Sequence, residues 1–233
     1  MAGNRDEFHS RPTAALARWD DAPGILAGRD LRSGGTWAGV ASGGRFAVLT
    51  NVRDPLASQA GPSRGALVAD YLRGDAPAGR EADRLAAAAH AYAPFNLLLA
   101  DPAGVAYLGN HPLVRQPLEP GIHGVSNGAL DAPWPKTRRL MDALARWIDA
   151  GDTSLAPLWE ALADEYRPAD TDLPDTGIGL ERERWLSAAF IRGDDYGTRA
   201  STVVLIDAQG HGQIHERRFG PQGMPAGSDR LAF

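Results

Sequence analysis

Cysteine is absent from this chain of 233 residues, and lysine is nearly absent. Without cysteine, these residues contain no disulfide, no thiolate metal ligand and no thiol nucleophile. Of the 24 basic residues only Lys136 is a lysine, so one compact ammonium group stands against a strong arginine bias. Because a planar guanidinium imitates such a point charge poorly, Lys136 is a candidate functional residue.

The chain also lacks long apolar runs and an excess of positive charge. No apolar stretch approaches the ~20 residues that span a bilayer, and no signal peptide is visible, so we expect a cytoplasmic protein without a membrane span. A net charge of −5 argues against a nucleic-acid partner. A hydrophobic content of 43%, with 27 Gly and 17 Pro, is typical of a globular chain with many turns.

The order of predicted elements indicates an α+β protein. We predict two stacked sheets with a helical layer on each outer face, a four-layer α-β-β-α sandwich. A single domain over residues 1–219 is expected, followed by a loose tail over 220–233, and residues 11–24 read as a surface loop. The predicted helices cover residues 63–72, 81–92, 135–150 and 154–166, and the predicted strands cover 36–40, 45–52, 95–99, 105–108, 122–126, 186–191, 201–206 and 213–219.

The opening stretch Asn4-Arg5-Asp6-Glu7-Phe8 places four strong polar groups before an aromatic ring. In an extended strand, side chains alternate, so Asn4 and Asp6 share one face while Arg5 and Glu7 share the other. Each face then carries a donor and an acceptor. Taken alone, the stretch is either a solvated tail or a functional motif.

Two predicted strands end in the same way, with a hydroxyl residue followed by an amide. These pairs are Thr50-Asn51 and Ser126-Asn127. An amide at a strand end can donate to a developing oxyanion or to a carboxylate. Alternatively, each Asn begins a turn and bonds its own backbone.

Two basic residues are candidate anion holders. Lys136 follows Pro133-Trp134-Pro135 in the first turn of a predicted helix, where a cation opposes the helix dipole unless an anion compensates it. A plain surface lysine is the alternative. Arg199 precedes the strongest strand, and Gly197 frees the backbone so that Thr198 and Arg199 can be aimed inward.

Metal and nucleotide sites are not predicted. His211 and His215 lie four residues apart, but on a turn and a strand rather than on one helical face. The glycine-rich stretch from Gly28 to Gly35 lacks the lysine and serine of a phosphate-binding loop.

Taken together, these segments resemble one known family. The resemblance rests on Asn4 to Phe8, on the strand end Leu49-Thr50-Asn51, on Gly121 to Asn127, on the segment Asp131 to Lys136 and on Tyr196 to Arg199. These segments are similar to the NRDE family, also called the transport-and-Golgi-organisation family. The resemblance covers nearly the whole chain.

The resemblance implies the α-β-β-α sandwich of the N-terminal-nucleophile amide hydrolases, whose nucleophile is the first residue of the mature chain. Family members typically begin Met-Cys and reach the opening motif after a strand and a turn. This chain begins Met1-Ala2-Gly3 directly before Asn4. We therefore expect that it lacks the first strand with its cysteine, and that an unpaired sheet edge lies beside the motif.

The resemblance further implies a ligand-handling protein in haem trafficking or acyl-lipid homeostasis, with haem or an acyl compound as the carried ligand. The alternative is an N-terminal-cysteine amide hydrolase whose nucleophile lies upstream of Met1, in which Asp6, Asn51 and Asn127 orient the substrate and the oxyanion. Whether the chain is an enzyme stays open. The predicted ligand-binding residues are Asn4, Arg5, Asp6, Glu7, Arg29, Asn51, Arg53, Asn127, Lys136 and Arg199.

Overall fold

The computed structural model describes all 233 residues, which form five α-helices and eleven β-strands. The strands are β1 (Ala2–Phe8), β2 (Thr13–Trp19), β3 (Ala22–Asp30), β4 (Ala38–Ala41), β5 (Arg45–Asn51), β6 (Phe95–Asp101), β7 (Gly104–Asn110), β8 (Leu113–Leu118), β9 (Tyr196–Ile206), β10 (Gly212–Phe219) and β11 (Pro225–Ala232). The helices are α1 (Arg64–Arg73), α2 (Ala78–Ala86), α3 (Pro135–Asp149), α4 (Ala156–Leu162) and α5 (Leu180–Leu186). None of them combines the length and the hydrophobicity that a bilayer crossing requires.

The strands form two antiparallel sheets. In the larger sheet, β2 to β8 pair in chain order, as in a meander. The smaller sheet has the order β1-β9-β10-β11, so the first strand pairs with a strand that follows almost 190 residues later. Only β9 pairs with β1, and the other edge of β1 has no strand partner.

The layers follow from what each helix covers. Helices α1 and α2 pack on the larger sheet, and α4 packs on β1 and β9 of the smaller sheet with α3 beside it. Leu16, Leu26 and Val40 of the larger sheet meet Val204 and Ile214 of the smaller one, so the two sheets stack face to face. The predicted four-layer α-β-β-α sandwich is therefore confirmed.

Hydrophobic burial is distributed unevenly among the layers. Nineteen buried residues form the core between the larger sheet and its helices. Only five buried apolar residues form the cluster between the sheets, and only three form the cluster between α4 and the smaller sheet. Because the layers around the smaller sheet are thinly packed, polar side chains can enter them near β1.

Several sequence predictions differ from the structure. Residues 11–24, predicted as a loop, form β2 and the start of β3; register shifts in this hairpin interrupt the alternation that would have revealed it. Residues 122–126 form a loop rather than a strand, because backbone groups there bond side chains: the Gly124 N–H donates to the Asp131 carboxylate, and the Ser126 carbonyl accepts from the Thr50 hydroxyl. Residues 186–191, also predicted as a strand, form the end of α5 and the turn after it.

The C-terminal residues are a paired strand and not the loose tail predicted for 220–233. Strand β11 runs antiparallel to β10, and Phe233 exchanges two backbone hydrogen bonds with Gly212, of 2.9 and 3.0 Å. Along β11, Asp229, Leu231 and Phe233 are half-buried, while the residues between them are exposed. The sequence signal is weak because only two large apolar side chains alternate, whereas backbone pairing supplies the rest of the stability.

The two neighbouring residues Leu231 and Arg230 test this strand. Leu231→Ser is expected to lower the free energy of unfolding by about 1–2 kcal/mol, because the substitution removes the apolar contacts of the half-buried leucine side chain. Arg230→Ser, on the exposed face, is expected to change it by less than about 0.5 kcal/mol. Urea unfolding of both variants measures the difference, and equal effects would indicate that the segment is not held against β10.

Candidate functional site

The side chains of β1 alternate as predicted for an extended strand. Asn4 and Asp6 face the outer helical layer, while Arg5 and Glu7 face the larger sheet. Arg5 and Glu7 form an ion pair of 3.7 Å on their face. Asn4 and Asp6 do not pair with each other, since each bonds other elements. The opening motif is thus an ordered strand and not a solvated tail.

Asn4 anchors β1 to three parts of the chain. Its Nδ2 donates to the carbonyls of Leu162 and Ala189, both at 2.7 Å, and its Oδ1 accepts from the Ser201 hydroxyl at 2.6 Å. Leu162 ends α4 and Ser201 lies on β9, so the Asn4 amide connects β1 both to the neighbouring strand β9 and to the outer helical layer. Every strong bonding direction of the amide is used, which assigns Asn4 a structural role.

Burial opposes the ionisation of Asp6, whereas its polar neighbours favour it. Burial raises its pKa, while the charge of Lys136 and the Thr198 hydroxyl, which donates to Asp6 Oδ1 at 2.6 Å, act in the opposite direction. Thr198 is held in turn because its hydroxyl accepts from the Ile191 N–H at 2.9 Å. A Cβ on Gly197 would lie 2.6 Å from the Ile191 carbonyl, so glycine permits this close approach.

Lys136 occupies the first turn of α3 and has few direct partners. Its Nζ donates to the Leu186 carbonyl at 3.0 Å and forms no direct ion pair. Burial lowers its pKa to about 8, although the charge of Asp6 acts to raise it. Asp6 and Lys136 therefore attract each other, and desolvation pushes both toward their neutral forms.

Arg53 and Glu183 form the strongest ion pair of the site. Arg53 Nη1 lies 2.7 Å from Glu183 Oε2, and the Glu183 side chain is only 3% exposed. Glu183 Oε1 also accepts from the N–H and the hydroxyl of Thr176, at 2.8 and 2.5 Å. The guanidinium lies 5.4 Å from the ring of Trp134. This carboxylate is consequently neutralised and fully bonded.

The two similar strand ends contact each other. Thr50 Oγ1 donates to the Ser126 carbonyl at 2.6 Å, and Asn127 Nδ2 donates to the Asn51 carbonyl at 3.0 Å. Asn127 Oδ1 accepts from Arg53 Nη2 at 3.4 Å. Their similarity therefore corresponds to mutual pairing, which fixes the loop before α3, while the Asn51 amide has no hydrogen bond and is exposed.

A small cavity, named here the Lys136 pocket, lies where these segments meet. Its volume of about 10 Å³ gives room for one water-sized group. It is lined by Arg53, Trp134, Pro135, Lys136, Pro174, Glu183, Leu186 and Ser187. Pro133 and Pro135 flank Trp134 and restrict the backbone on both sides of it.

An aromatic group borders the polar residues at the end of β1. Phe8, which is 55% exposed, meets Tyr196 edge to face at 5.1 Å, and Trp185 lies 5.6 Å from Tyr196. Burial raises the pKa of Tyr196, and the nearby charge of Asp6 adds to this rise. The phenol is thus neutral, and the three rings offer apolar surface beside charged groups.

The inner face of β1 carries a second polar group, the arginine cluster, formed by Arg5, Glu7, Arg11 and Arg199. Arg5 lies 4.4 Å above the ring of Trp37, and its side chain is 9% exposed. Arg199 Nη1 donates to the carbonyls of Phe8, His9 and Arg11 at 2.9 to 3.3 Å. Burial lowers the pKa of both Arg5 and Arg199.

The structure brings most of the predicted ligand-binding residues together around β1. Asp6, Arg53, Asn127 and Lys136 meet on one side, and the arginine cluster lies on the other. Arg29 lies apart: its guanidinium bonds both carboxylate oxygens of Asp21 at 2.6 and 2.8 Å and lies 4.1 Å above the Trp19 ring. Arg29 contacts none of the other predicted ligand-binding residues, and its ligand-binding role stays a prediction.

Glu183 and Tyr196 contribute to the site but were not predicted as site residues. Glu183 belongs to the charge-rich segment Glu181-Arg182-Glu183-Arg184, which resembles an exposed helix surface. A helix prediction over α5 would have indicated that only one of its carboxylates faces inward. Tyr196 lies in the segment Tyr196 to Arg199, which carries part of the family resemblance, but only Arg199 of that segment was predicted to bind a ligand.

A larger cavity of about 290 Å³ lies at the opposite end of the smaller sheet. It is lined by Arg18, Gly24, Leu26, Ser42, Gly43, Gln209, Gly210, His211 and Phe233. None of the predicted ligand-binding residues lines it. Volume alone does not make a site, and we assign function to the smaller pocket because charged groups converge there.

His123 closes the loop that carries Asn127. Its Nδ1 lies 2.8 Å from Asp131 Oδ2 and its Nε2 lies 3.0 Å from the Glu119 carbonyl. Both partners are acceptors, so both ring nitrogens donate only when the imidazole is protonated. The bond to Asp131 raises the pKa of His123 accordingly. Protonation of the ring therefore strengthens the closure of this loop.

The anchoring role of Asn4 can be measured against Asn51. Asn4→Ala is expected to lower the free energy of unfolding by about 2–3 kcal/mol, because two carbonyls and one hydroxyl lose their partner. Asn51→Ala is the matched control, with an expected change below about 0.5 kcal/mol. Chemical denaturation gives both values, and a neutral Asn4 variant would contradict the structural role.

The His123 contact predicts a pH dependence of stability. Since its folded pKa is raised, the contact stabilises the protein fully below the unfolded pKa and is lost as pH rises through the folded pKa. Asp131→Asn keeps the acceptor for Gly124 N–H and tolerates the positive φ, but removes the charge. Its destabilisation relative to the unsubstituted protein is expected to be larger at about pH 6 than at about pH 9 in denaturant unfolding. A destabilisation independent of pH would contradict the contact.

Comparison with known proteins identifies relatives over nearly the whole length. Residues 1–221 match the family model described as Transport and Golgi organisation 2. The Bos taurus Transport and Golgi organization protein 2 homolog is 34% identical over 239 residues, covering 93% of this chain and 85% of that protein. The Homo sapiens homolog is 32% identical with the same coverage, and the Drosophila melanogaster protein is 29% identical over 90% of this chain and 82% of its own.

Among solved structures, penicillin V acylase from Agrobacterium tumefaciens aligns with 94% of this chain and 78% of its own, at a TM-score of 0.40 and 13% identity. This likeness is too distant to carry a functional argument. The full-length family match and the identity with the curated relatives are sufficient by themselves. The chain belongs to the Transport and Golgi organisation 2 family.

Proposed function

We propose that the protein is a ligand-handling protein that binds a small anionic, partly apolar ligand at the Lys136 pocket, with a role in haem trafficking or acyl-lipid homeostasis. The observation that supports this most directly is the charge of the pocket lining. Two cations, Arg53 and Lys136, line the pocket, while Glu183 is the single carboxylate among the lining residues. We include a cytoplasmic location in this proposal.

The balance of charges favours an anion. Glu183 pairs with Arg53 at 2.7 Å, so its charge compensates Lys136 only in part. Asp6 is the other carboxylate nearby, and burial raises its pKa, which reduces its ability to balance the ammonium. A ligand oxygen that accepts from Lys136 would form a charge-assisted hydrogen bond, worth about 1.5–3 kcal/mol.

The size of the pocket determines which part of a ligand enters. A cavity of about 10 Å³ admits one oxygen-sized group, so a carboxylate or phosphate oxygen enters and the rest stays outside. Phe8, Tyr196 and Trp185 provide apolar surface close to Asp6. Haem and acyl compounds both combine anionic groups with a large apolar part. Their anionic groups suit the pocket, and their apolar parts suit the surface of the three aromatic rings.

The amide-hydrolase alternative depends on a cysteine nucleophile, and none is among these 233 residues. The Thr198 hydroxyl donates to Asp6, but Thr198 is only 1% exposed and its hydroxyl also accepts from the Ile191 N–H, so we do not propose it as a substitute nucleophile. We therefore propose binding, and not hydrolysis, for the residues described.

Binding of haem and of a long-chain acyl-coenzyme A tests the proposal. We expect saturable binding of at least one of them. Lys136→Met, which removes the ammonium and keeps much of the side-chain length, is expected to weaken binding about ten- to one-hundredfold, the value of one charge-assisted bond. Absorbance titration for haem and calorimetry for the acyl compound provide the measurements.

Arg139→Met is the matched control, because Arg139 lies on the same helix, is 51% exposed and pairs with Asp164 away from the pocket. It is expected to bind like the unsubstituted protein. The proposal fails if neither ligand saturates, or if the Lys136 and Arg139 variants weaken binding equally.

A further inference from the structure

The Lys136 amine has bonding capacity that the protein does not use. An ammonium carries three donors, yet Nζ donates one identified hydrogen bond, to the Leu186 carbonyl at 3.0 Å. The amine lines the Lys136 pocket, whose free volume can hold one small group next to it. A reactive atom of a ligand therefore has a place to lie beside the amine.

The identity of this residue points to more than anion binding. The chain uses arginine at every other basic position, and an arginine at position 136 would also attract a carboxylate or phosphate. What a guanidinium cannot do is act as a primary amine toward a carbonyl carbon. The exception at position 136 is explained if the amine itself reacts.

The surroundings of Lys136 favour a neutral amine. Three charged groups face it: Asp6 from β1, Arg53 from the segment after β5 and Glu183 from α5. Burial lowers the pKa of Lys136 to about 8, the two carboxylates act against this fall, and Arg53 adds to it. A substantial fraction of the amine is consequently unprotonated in weakly alkaline solution, which is the form that attacks carbonyl carbon.

We propose that Lys136 is a nucleophile that forms an imine with an aldehyde whose carbonyl group enters the Lys136 pocket while the rest of the molecule stays outside. The amine nitrogen attacks the carbonyl carbon and forms a carbinolamine. The carbon–oxygen bond then breaks, and the oxygen leaves as water with the two hydrogens that the nitrogen has lost. No oxidant or reductant is required.

This activity goes beyond the noncovalent binding proposed above, although it uses the same pocket. Haem and acyl-coenzyme A carry no aldehyde, so their binding and imine formation are measured independently. Loss of either result leaves the interpretation of the other unchanged.

Pyridoxal, an aldehyde without phosphate, tests the proposal when its imine is trapped with sodium cyanoborohydride. The chain offers two primary amines, Lys136 and the Met1 α-amine, and peptide mapping separates them. We expect one adduct, on Lys136, with a rate that saturates with pyridoxal and exceeds that of N-acetyl-lysine by roughly tenfold at neutral pH. The rate is expected to rise with pH, with a midpoint near the pKa of about 8.

The Met1 amine is an internal control. Burial lowers its pKa to about 6, but it donates to the Val204 carbonyl at 2.7 Å and does not line the pocket. We expect little labelling there, because reactivity follows access to the pocket. An adduct only at Met1, no adduct at all, or a Lys136 rate equal to that of N-acetyl-lysine would overturn the proposal.

Two variants complete the test. Lys136→Arg is expected to abolish the adduct while circular dichroism shows an unchanged fold. Asp6→Asn keeps an acceptor for the Thr198 hydroxyl and removes a charge that raises the pKa of Lys136, so the midpoint of the labelling rate is expected to move to lower pH. Labelling of the arginine variant at the original rate would place the reaction elsewhere, and an unchanged midpoint in Asp6→Asn would overturn the assignment of that midpoint to Lys136.

Discussion

The hydrogen bonds of Asn4 fix the face that each side chain of β1 presents, and the site depends on that choice. Since Asn4 points to the outer layer, Asp6 must point there too, and Arg5 and Glu7 must point to the larger sheet. On the partner strand, Thr198 and Ser201 bond Asp6 and Asn4 although they are three residues apart. Residues three apart on a regular strand would lie on opposite faces. Here a bulge in β9 leaves Arg199 without a partner between Arg5 and Asp6, and this extra residue brings Thr198 and Ser201 to the same face.

Desolvation, rather than direct pairing, governs the chemistry of Asp6 and Lys136. Burial raises one pKa and lowers the other, so the two groups approach each other in proton affinity while their charges still attract. An anion that enters the pocket would favour the ammonium form of Lys136. A neutral aldehyde would instead react with the free amine. If both proposals hold, the protonation state of Lys136 decides which of the two ligand classes binds.

How much of this could be predicted from the sequence varies with the range of the interactions. The alternation of Asn4 to Glu7 follows from local geometry, and this prediction agrees with the structure. The similar pairs Thr50-Asn51 and Ser126-Asn127 were recognised, but only the fold reveals that they bond each other. Glu183 and strand β11 depend on partners distant in the chain, and local composition does not distinguish them from exposed segments.

Arginine and lysine have different tasks around β1, and the difference explains where reactivity is available. Arg199 bonds three carbonyls at and after the end of β1, and Arg53 bonds Glu183 and Asn127. Arg29, which lies apart from the site, bonds both carboxylate oxygens of Asp21. The planar fork of a guanidinium suits such multiple contacts, and it is held in place by them. Lys136 has one hydrogen bond and a free side facing a pocket. The arginines are therefore held by several contacts each, whereas the single lysine keeps donors that are free on the side of the pocket, which is what both proposals require of it.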